Sequence, residues 1–263
     1  MDNTEDNIQE IINKSGNSFH TKVILSLREK EWNVLISPYY SDNATGKARE
    51  IDIVAEKLYE MKSLGVATAY IKIQLLIECK YTKDEKKKDT VFWFDSMSSN
   101  KVKKHIQKIS PLKEDYLNGN EHHYLLLEEA AKLFESTKEN YENEDYYKAI
   151  DQVLKAYVYF NTINLNLDDQ NKTGPPVHTI KYPVIISNNF NRLHGISISG
   201  GKHYRLMDNF VLDLQYAYTD REGKYKNDYF IIDFVSFEKL QKYISDIEKN
   251  EIEKLKYILS LPI

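Results

Sequence analysis

The segment 71–77, with the sequence IKIQLLI, runs directly into Glu78, Cys79 and Lys80, and this stretch constrains the fold more than any other part of the chain. The run predicts a buried β-strand. Side chains alternate across a strand, so Glu78 and Lys80 share one face while Cys79 points to the other, into apolar packing. A carboxylate and an amine are costly inside a core. Their position at the end of this strand therefore predicts a polar functional site.

A second strand is predicted upstream, over residues 49–55. Its alternation places Glu50 and Asp52 on one face and isoleucines on the other. Two neighbouring strands of this kind bring three polar groups around one point. We therefore expect Asp52 to lie beside Glu78 and Lys80.

Two carboxylates beside an amine are groups that suit divalent-metal chemistry. Magnesium prefers oxygen ligands and is typically held by one or two carboxylates, which Asp52 and Glu78 would provide. A divalent cation activates water and stabilises charge that develops on a phosphoryl oxygen. Lys80 would orient the attacking water or accept its proton. Phosphodiester hydrolysis is the reaction that most naturally needs this set.

The pattern resembles the PD-(D/E)XK nuclease superfamily, whose members share the restriction-endonuclease-like fold. In that superfamily an Asp on one strand and an (Asp/Glu)-x-Lys on the next form the site, and here Asp52, Glu78 and Lys80 match them. The resemblance covers about residues 15 to 110. It also includes segments that look like the first helix, the entry to the first strand, the strand of the first acid and the strand after the lysine: 16–20, 31–34, 45–53 and 91–94.

The resemblance implies an α/β fold with a mixed central sheet flanked by helices, and a C-terminal α+β elaboration. It implies Mg²⁺ or Mn²⁺ as cofactor, with Asp52, Glu78 and the backbone carbonyl of Cys79 as ligands. Lys80 would act at the attacking water, and Glu50 would be an additional ligand or would support one.

The first helix departs from the family pattern at His20. Many relatives carry a glutamate there, directly after the phenylalanine, and it completes the metal shell. His20 either faces the site as a ligand or phosphate contact, or lies on the helix surface. The number of metal ions therefore stays open.

Net charge and its distribution point in different directions. The formal charge of -4 argues against a protein that coats nucleic acid by bulk electrostatics. The segment 72–113, however, carries eleven lysines and five acidic residues. Part of this surplus lies on a helix predicted over residues 100–109, where it is either a solvated face or a nucleic-acid contact. The predicted nucleic-acid-binding residues are Lys101, Lys103, Lys104 and Lys108.

The pattern predicts a nuclease core over residues 1–120, and C-terminal helices and strands over 121–263 that pack on or extend the same domain. A split near residue 120 is the alternative.

Asp213 and Asp233 are either acids of a second metal or aspartates that face water on edge strands. The remaining predicted elements are a loose excursion at 56–70, helices at 124–139, 144–161 and 237–257, a loop at 164–179, and strands at 90–95, 182–187, 204–207, 211–218 and 229–235.

The chain lacks an apolar run long enough to span a bilayer and a charged-then-apolar leader. These absences predict neither a membrane span nor a secretory signal, and a cytoplasmic location is the default expectation.

A single cysteine cannot form an internal disulfide. Cys79 is thus expected to be a small buried apolar residue rather than a catalytic thiol.

Two functional hypotheses follow. The first is a metal-dependent endonuclease that hydrolyses DNA, in restriction or in defence against foreign DNA, alone, as a homodimer or with a partner protein. RNA stays open as a substrate because the chemistry of the site does not discriminate. The second is an inactive binding or scaffold subunit that keeps the nuclease fold within a nucleic-acid-processing or defence complex. A simpler alternative to both is a surface ion pair of Glu78 and Lys80 with a solvated Asp52.

Overall fold

A computed structural model describes residues 12, 15–61, 69–82, 89–109, 122–136, 145–162 and 177–253. The described strands form one ten-stranded mixed sheet and one two-stranded sheet. In chain order the strands are β1 Asn33–Ile36, β2 Tyr39–Ser41, β3 Ala48–Glu50, β4 Ile53–Met61, β5 Ala69–Lys80, β6 Thr90–Ser96, β7 Glu129–Ser136, β8 Val177–Ser187, β9 Leu193–Ser197, β10 Tyr204–Arg205, β11 Phe210–Thr219 and β12 Tyr225–Ser236.

Four α-helices lie within the described residues: α1 Gly16–Arg28, α2 Ser99–Ile109, α3 Asp145–Thr162 and α4 Leu240–Ile247. Short 3₁₀-helices at His123–Leu126 and Phe237–Lys239 and a π-helical turn at Glu248–Glu253 complete the helical elements there. Ser15 caps α1, because its side chain accepts a hydrogen bond from the N–H of Ser18 at 3.1 Å. None of the helices in the described part of the chain is long and apolar enough to cross a membrane. The α/β class with a large mixed sheet is confirmed.

The strand order in the large sheet is β1-β4-β5-β8-β12-β11-β7-β6-β9-β10. Strand β5 lies between β4, which is antiparallel to it, and β8, which is parallel to it. Its apolar residues are buried on both faces, as is typical of a central strand. Strands from both sides of residue 120 alternate in this order, so the predicted core and the C-terminal half share one sheet.

The polar ends of three parallel strands meet at one edge of this sheet. Lys80 at the end of β5 pairs with Ser187 at the end of β8, and Ser187 pairs with Ser236 at the end of β12. Strands β8 and β12 pair only from Val184 to Ser187, next to this edge. Residues at the same level of neighbouring strands point to the same face.

Helices cover both faces of the sheet. Helix α3 packs on β5 and β8, and its Tyr157 meets Phe230 of β12 with ring centroids 5.8 Å apart. We name this side the α3 face. On the other side, the α1 face, His105 of α2 contacts Tyr229 of β12 and Tyr243 of α4 binds Asp233. Helix α1 also lies on this side, over the end of β5.

Three predicted elements differ in the structure. The segment 56–70 is not a loose excursion in its described parts, because β4 continues to Met61 and pairs with Ala69 of β5, whereas 62–68 lie outside the described residues. The predicted helix over 124–139 is wrong, because its described part forms a 3₁₀-helix and strand β7. The predicted loop over 164–179 ends in the first residues of β8, and its part up to residue 176 lies outside the described residues.

Candidate functional site

Glu78 and Lys80 lie where β5 ends, with both side chains on the α3 face. The Nζ atom of Lys80 lies 4.0 Å from Oε1 of Glu78. Glu78 is only 3% exposed, whereas the Lys80 side chain is 18% exposed. The pair is therefore not a surface ion pair on an edge strand, as the simplest alternative requires. The carboxylate is inside the protein, and the amine is at its boundary.

Asp52 lies in a bend between β3 and β4 rather than within a continuous strand. The Ile residues on either side of it are fully buried, and they anchor the bend between the two sheets. Its Oδ2 atom accepts a hydrogen bond from the backbone N–H of Cys79 at 2.7 Å. Its carbonyl oxygen accepts another from the N–H of Ser37 at 2.9 Å. The first acid is thus fixed beside the strand that carries the second.

The electrostatic surroundings of Glu78 favour its neutral form. Burial, and then the negative charge of Asp52, raise the pKa of Glu78 to about 8, with a smaller contribution from Glu50. Lys80 and the backbone N–H of Asp52 act in the opposite direction. The raising effects prevail. A cation bound between the two carboxylates would reverse this balance.

One side-chain amide contacts Glu78 from α3. With the Gln152 amide oriented so that its nitrogen donates, it binds Oε1 of Glu78 at 3.1 Å and the carbonyl oxygen of Lys148 at 3.2 Å. The Tyr40 hydroxyl donates to the backbone carbonyl of Gln152 at 3.2 Å. Within the described residues, the buried Oε2 atom of Glu78 has no hydrogen-bond partner. This atom is available to a ligand.

His20 lies beside the acids, not on the outer surface of α1. Its Nε2 atom is 3.5 Å from Oδ2 of Asp52, and its side chain is 26% exposed. A ring nitrogen of His20, a carboxylate oxygen of Asp52 and Sγ of Cys79 all lie within 4.8 Å of one another. Cys79 is buried, as expected, and burial raises the pKa of its thiol well above the usual value. Glu50 ends β3 and is exposed.

The structure does not bring the predicted basic cluster to the acids. Lys101 of α2 lies over the ring of Tyr229, with its Nζ atom 5.9 Å from the ring centroid. Tyr229 is on the α1 face and seven residues before Ser236, which lies at the level of Lys80. At roughly 3.3 Å per residue, the two levels are about 23 Å apart along the strand. Lys103 and Lys104 are on the same helix, and the side chain of Lys108 lies outside the described residues.

Asp213 and Asp233 are not on edge strands, because β11 and β12 are inside the sheet. Asp213 forms an ion pair with Lys132. Asp233 is 3% exposed, and its Oδ2 atom accepts hydrogen bonds from the hydroxyls of Tyr124 and Tyr243, each at 2.8 Å. Nε2 of His123 lies 3.4 Å from its Oδ1 atom. Water-facing aspartates were therefore the wrong interpretation.

Sequence patterns did not indicate the partners of either buried acid. Gln152 is one polar residue within an amphipathic helix, and its contact depends on how α3 lies on the sheet. Tyr124 and Tyr243 are two of twenty tyrosines. The one usable signal is Asp233 itself, which interrupts the apolar strand 230–235. A charged residue in such a strand indicates a buried partner.

No protein-family model, curated protein or solved structure matches this chain. Support for a function therefore comes from the residues at the end of β5.

Proposed function

We propose that this protein is a metal-dependent nuclease that hydrolyses phosphodiester bonds of DNA at the end of β5. One observation carries the proposal: the carboxylate of Glu78 is buried next to that of Asp52, and its Oε2 atom has no hydrogen-bond partner within the described residues. A buried carboxylate beside a second, partly exposed one is unfavourable in its ionised form without a compensating cation. The donor set fits Mg²⁺ or Mn²⁺, which prefer oxygen ligands.

The ligands would be Asp52, Glu78 and the backbone carbonyl of Cys79. When bound, the cation would supply charge stabilisation at the phosphoryl group and would lower the pKa of the attacking water. The hydrogen bond from the Cys79 N–H orients the Asp52 carboxylate, and the Gln152 amide orients that of Glu78. Both acids are thus held in position before any ligand arrives, which lowers the cost of binding.

Lys80 would act on the water. Its amine is close to Glu78 and partly exposed, so it lies between the buried acid and the solvent from which a substrate approaches. A lysine there positions water, holds a proton and attracts a phosphate. The mixed sheet around β5, with helices on both faces, is in keeping with the resemblance.

Cleavage of supercoiled plasmid by the purified chain tests the proposal. We expect nicking with Mg²⁺ or Mn²⁺, none with EDTA, and a loss of roughly 1,000-fold or more in Lys80→Ala, Asp52→Asn and Glu78→Gln. Lys224→Ala is the matched control, because this exposed lysine lies in the connection between β11 and β12 and not on β5. The proposal fails if no divalent cation supports cleavage, or if Lys80→Ala cleaves like the parent protein. The same assay on a matched RNA shows which nucleic acid is the substrate.

A scaffold subunit with this fold has no need for a cation at the acids. Calorimetric titration with Mn²⁺ separates the two roles without any substrate. The nuclease proposal expects binding that Asp52→Asn abolishes, and the scaffold alternative expects none.

A further inference from the structure

His20, Asp52 and Cys79 form a second group of metal-ligand atoms at the same edge of the sheet. One nitrogen, one oxygen and one sulfur lie within 4.8 Å of one another. They differ chemically from the pair on the α3 face, which offers oxygen alone. Imidazole and thiolate are ligands of zinc, whereas magnesium does not take sulfur.

The positions of the three atoms suit one small ion. Nε2 of His20 is 3.5 Å from Oδ2 of Asp52, which is longer than an ordinary N–H···O hydrogen bond. The two groups are within ion-pair distance but make no short hydrogen bond. Cys79 lies on the α1 face and is 5% exposed, whereas the side chains of His20 and Asp52 are 26% and 19% exposed.

We propose that His20, Asp52 and Cys79 form a site for a zinc-class cation on the α1 face, and that its occupation inhibits the nuclease. Three protein ligands leave one tetrahedral position for water. Asp52 belongs both to this site and to the oxygen site on the α3 face. A zinc ion that engages Asp52 takes away one of the two carboxylates on which the activating cation depends. The inhibition rests on the proposed function, but the site itself does not.

Cobalt(II) is the probe, because it replaces zinc and gives an absorption band in the near ultraviolet when a thiolate binds it. The chain has one cysteine, so such a band reports Cys79 alone. We expect the parent protein to bind one Co²⁺ with this band, and Zn²⁺ but not Mg²⁺ to remove it. Cys79→Ser should lose the band, and His20→Ala should weaken Zn²⁺ binding by roughly 100-fold.

His203→Ala is the matched control. His203 is an exposed histidine, and its ring centroid lies 5.8 Å from that of the partly buried His194. We expect this variant to keep the band and the affinity. Co²⁺ binding by the parent protein without the band, or a band that survives unweakened in His20→Ala, overturns the site. These readings remain decisive even if Cys79→Ser fails to fold.

Inhibition is measured separately, as Zn²⁺ titrated into plasmid cleavage at constant Mg²⁺. We expect the parent protein to be inhibited at a Zn²⁺ concentration about 100-fold lower than His20→Ala requires, the same ratio as for binding. Equal inhibition of both proteins overturns the regulatory part. Absence of any cleavage refutes the proposed function alone, since the cobalt spectra are recorded without nucleic acid.

Discussion

Glu78 and Asp233 are two acids buried to the same extent, at neighbouring levels of one sheet, yet their surroundings are opposite. Each is 3% exposed. Glu78 is level with Ile185 of β8 and points to the α3 face, whereas Asp233 is level with Val184 and points to the α1 face. Asp233 accepts two tyrosine hydroxyls. Glu78 has an amide at one oxygen, no partner at the other within the described residues, and a second carboxylate nearby.

The difference shows how a structural acid is distinguished from one that is ready for a ligand. Burial alone does not separate them. The charge of Asp233 on β12 is satisfied by donors from α4 and from the 3₁₀-helix, and these hydrogen bonds tie the three elements together. Glu78 instead raises the energy of the folded protein, which is typical of functional residues. Removing each acid should therefore change stability in opposite directions.

The largest expected effect is that of Asp233→Ala. It leaves two buried tyrosine hydroxyls without their acceptor, and we expect a loss of about 3 to 4 kcal/mol in the free energy of unfolding. Urea denaturation measures it. Asp246→Ala on the exposed side of α4 removes only the ion pair with Lys242 and should cost less than about 0.5 kcal/mol. Equal losses in the two variants would refute a structural role for Asp233.

Glu78→Gln should have the opposite sign in the metal-free protein. The folded-state pKa of Glu78 is raised to about 8, above its ordinary value, so its ionisation costs stability. The cost is absent at pH 4, grows as the pH rises through the interval up to about 8, and is complete above it. The full shift corresponds to at most about 5 kcal/mol. Relaxation around the buried carboxylate reduces this cost, so we expect Glu78→Gln to stabilise the protein by about 2 kcal/mol at pH 9 and to be neutral at pH 4. A destabilised variant at pH 9 in EDTA would make Glu78 a second structural acid.

Tyr243→Phe removes one of the two tyrosine hydroxyls that donate to Asp233. Asp233 keeps the Tyr124 hydroxyl, so we expect a loss of about 1 kcal/mol, well below that of Asp233→Ala. Tyr225→Phe provides the control, because the Tyr225 ring is exposed and lies on β12, the strand that carries Asp233. Thermal unfolding of both variants measures the difference. Loss of stability as large as that of Asp233→Ala would mean that Tyr124 cannot hold the carboxylate alone.

The smallest effect is expected from Asp52→Asn on the titration of Glu78. The variant removes a neighbouring negative charge but leaves Glu78 buried, and burial is the larger cause of its raised pKa. The pKa of Glu78 should fall part of the way toward its ordinary range. Carbon-13 NMR of the side-chain carboxyl, followed over pH in EDTA, measures this change. An unchanged pKa would show that the two acids do not interact.

The elements that the sequence predicted well are those with strong hydrophobic periodicity. Helix α3 was predicted over 144–161 and runs from Asp145 to Thr162. Strand β7 was missed because Glu, Ala, Lys and Leu in its sequence favour a helix. The structure decides against a helix there, since β7 pairs with β6 and β11, and Phe134 stacks on Phe92 at 5.6 Å. Tertiary pairing of this kind leaves no local signal.

The residues of the candidate site also divide into those that local sequence patterns predict and those that only tertiary packing brings together. Strand alternation predicted that Glu78 and Lys80 share one face of β5, whereas Asp52 reaches Cys79 from a bend that alternation did not predict. The approach of His20 depends on the packing of α1. That of Gln152 depends on a helix more than seventy residues after Glu78. Contacts between distant elements depend on the whole fold, and the spacing of residues in the sequence does not predict them.

The pairing of β5 with β8 has a consequence for how the chain is made. Lys80 finds its partner Ser187 only after more than a hundred further residues have been synthesised. Until then one edge of the most apolar strand stays open, and an open apolar edge is a template for aggregation. Such long-range pairing also slows folding. A fragment that stops near residue 120 would carry all three predicted catalytic residues and still lack the strand that shields them.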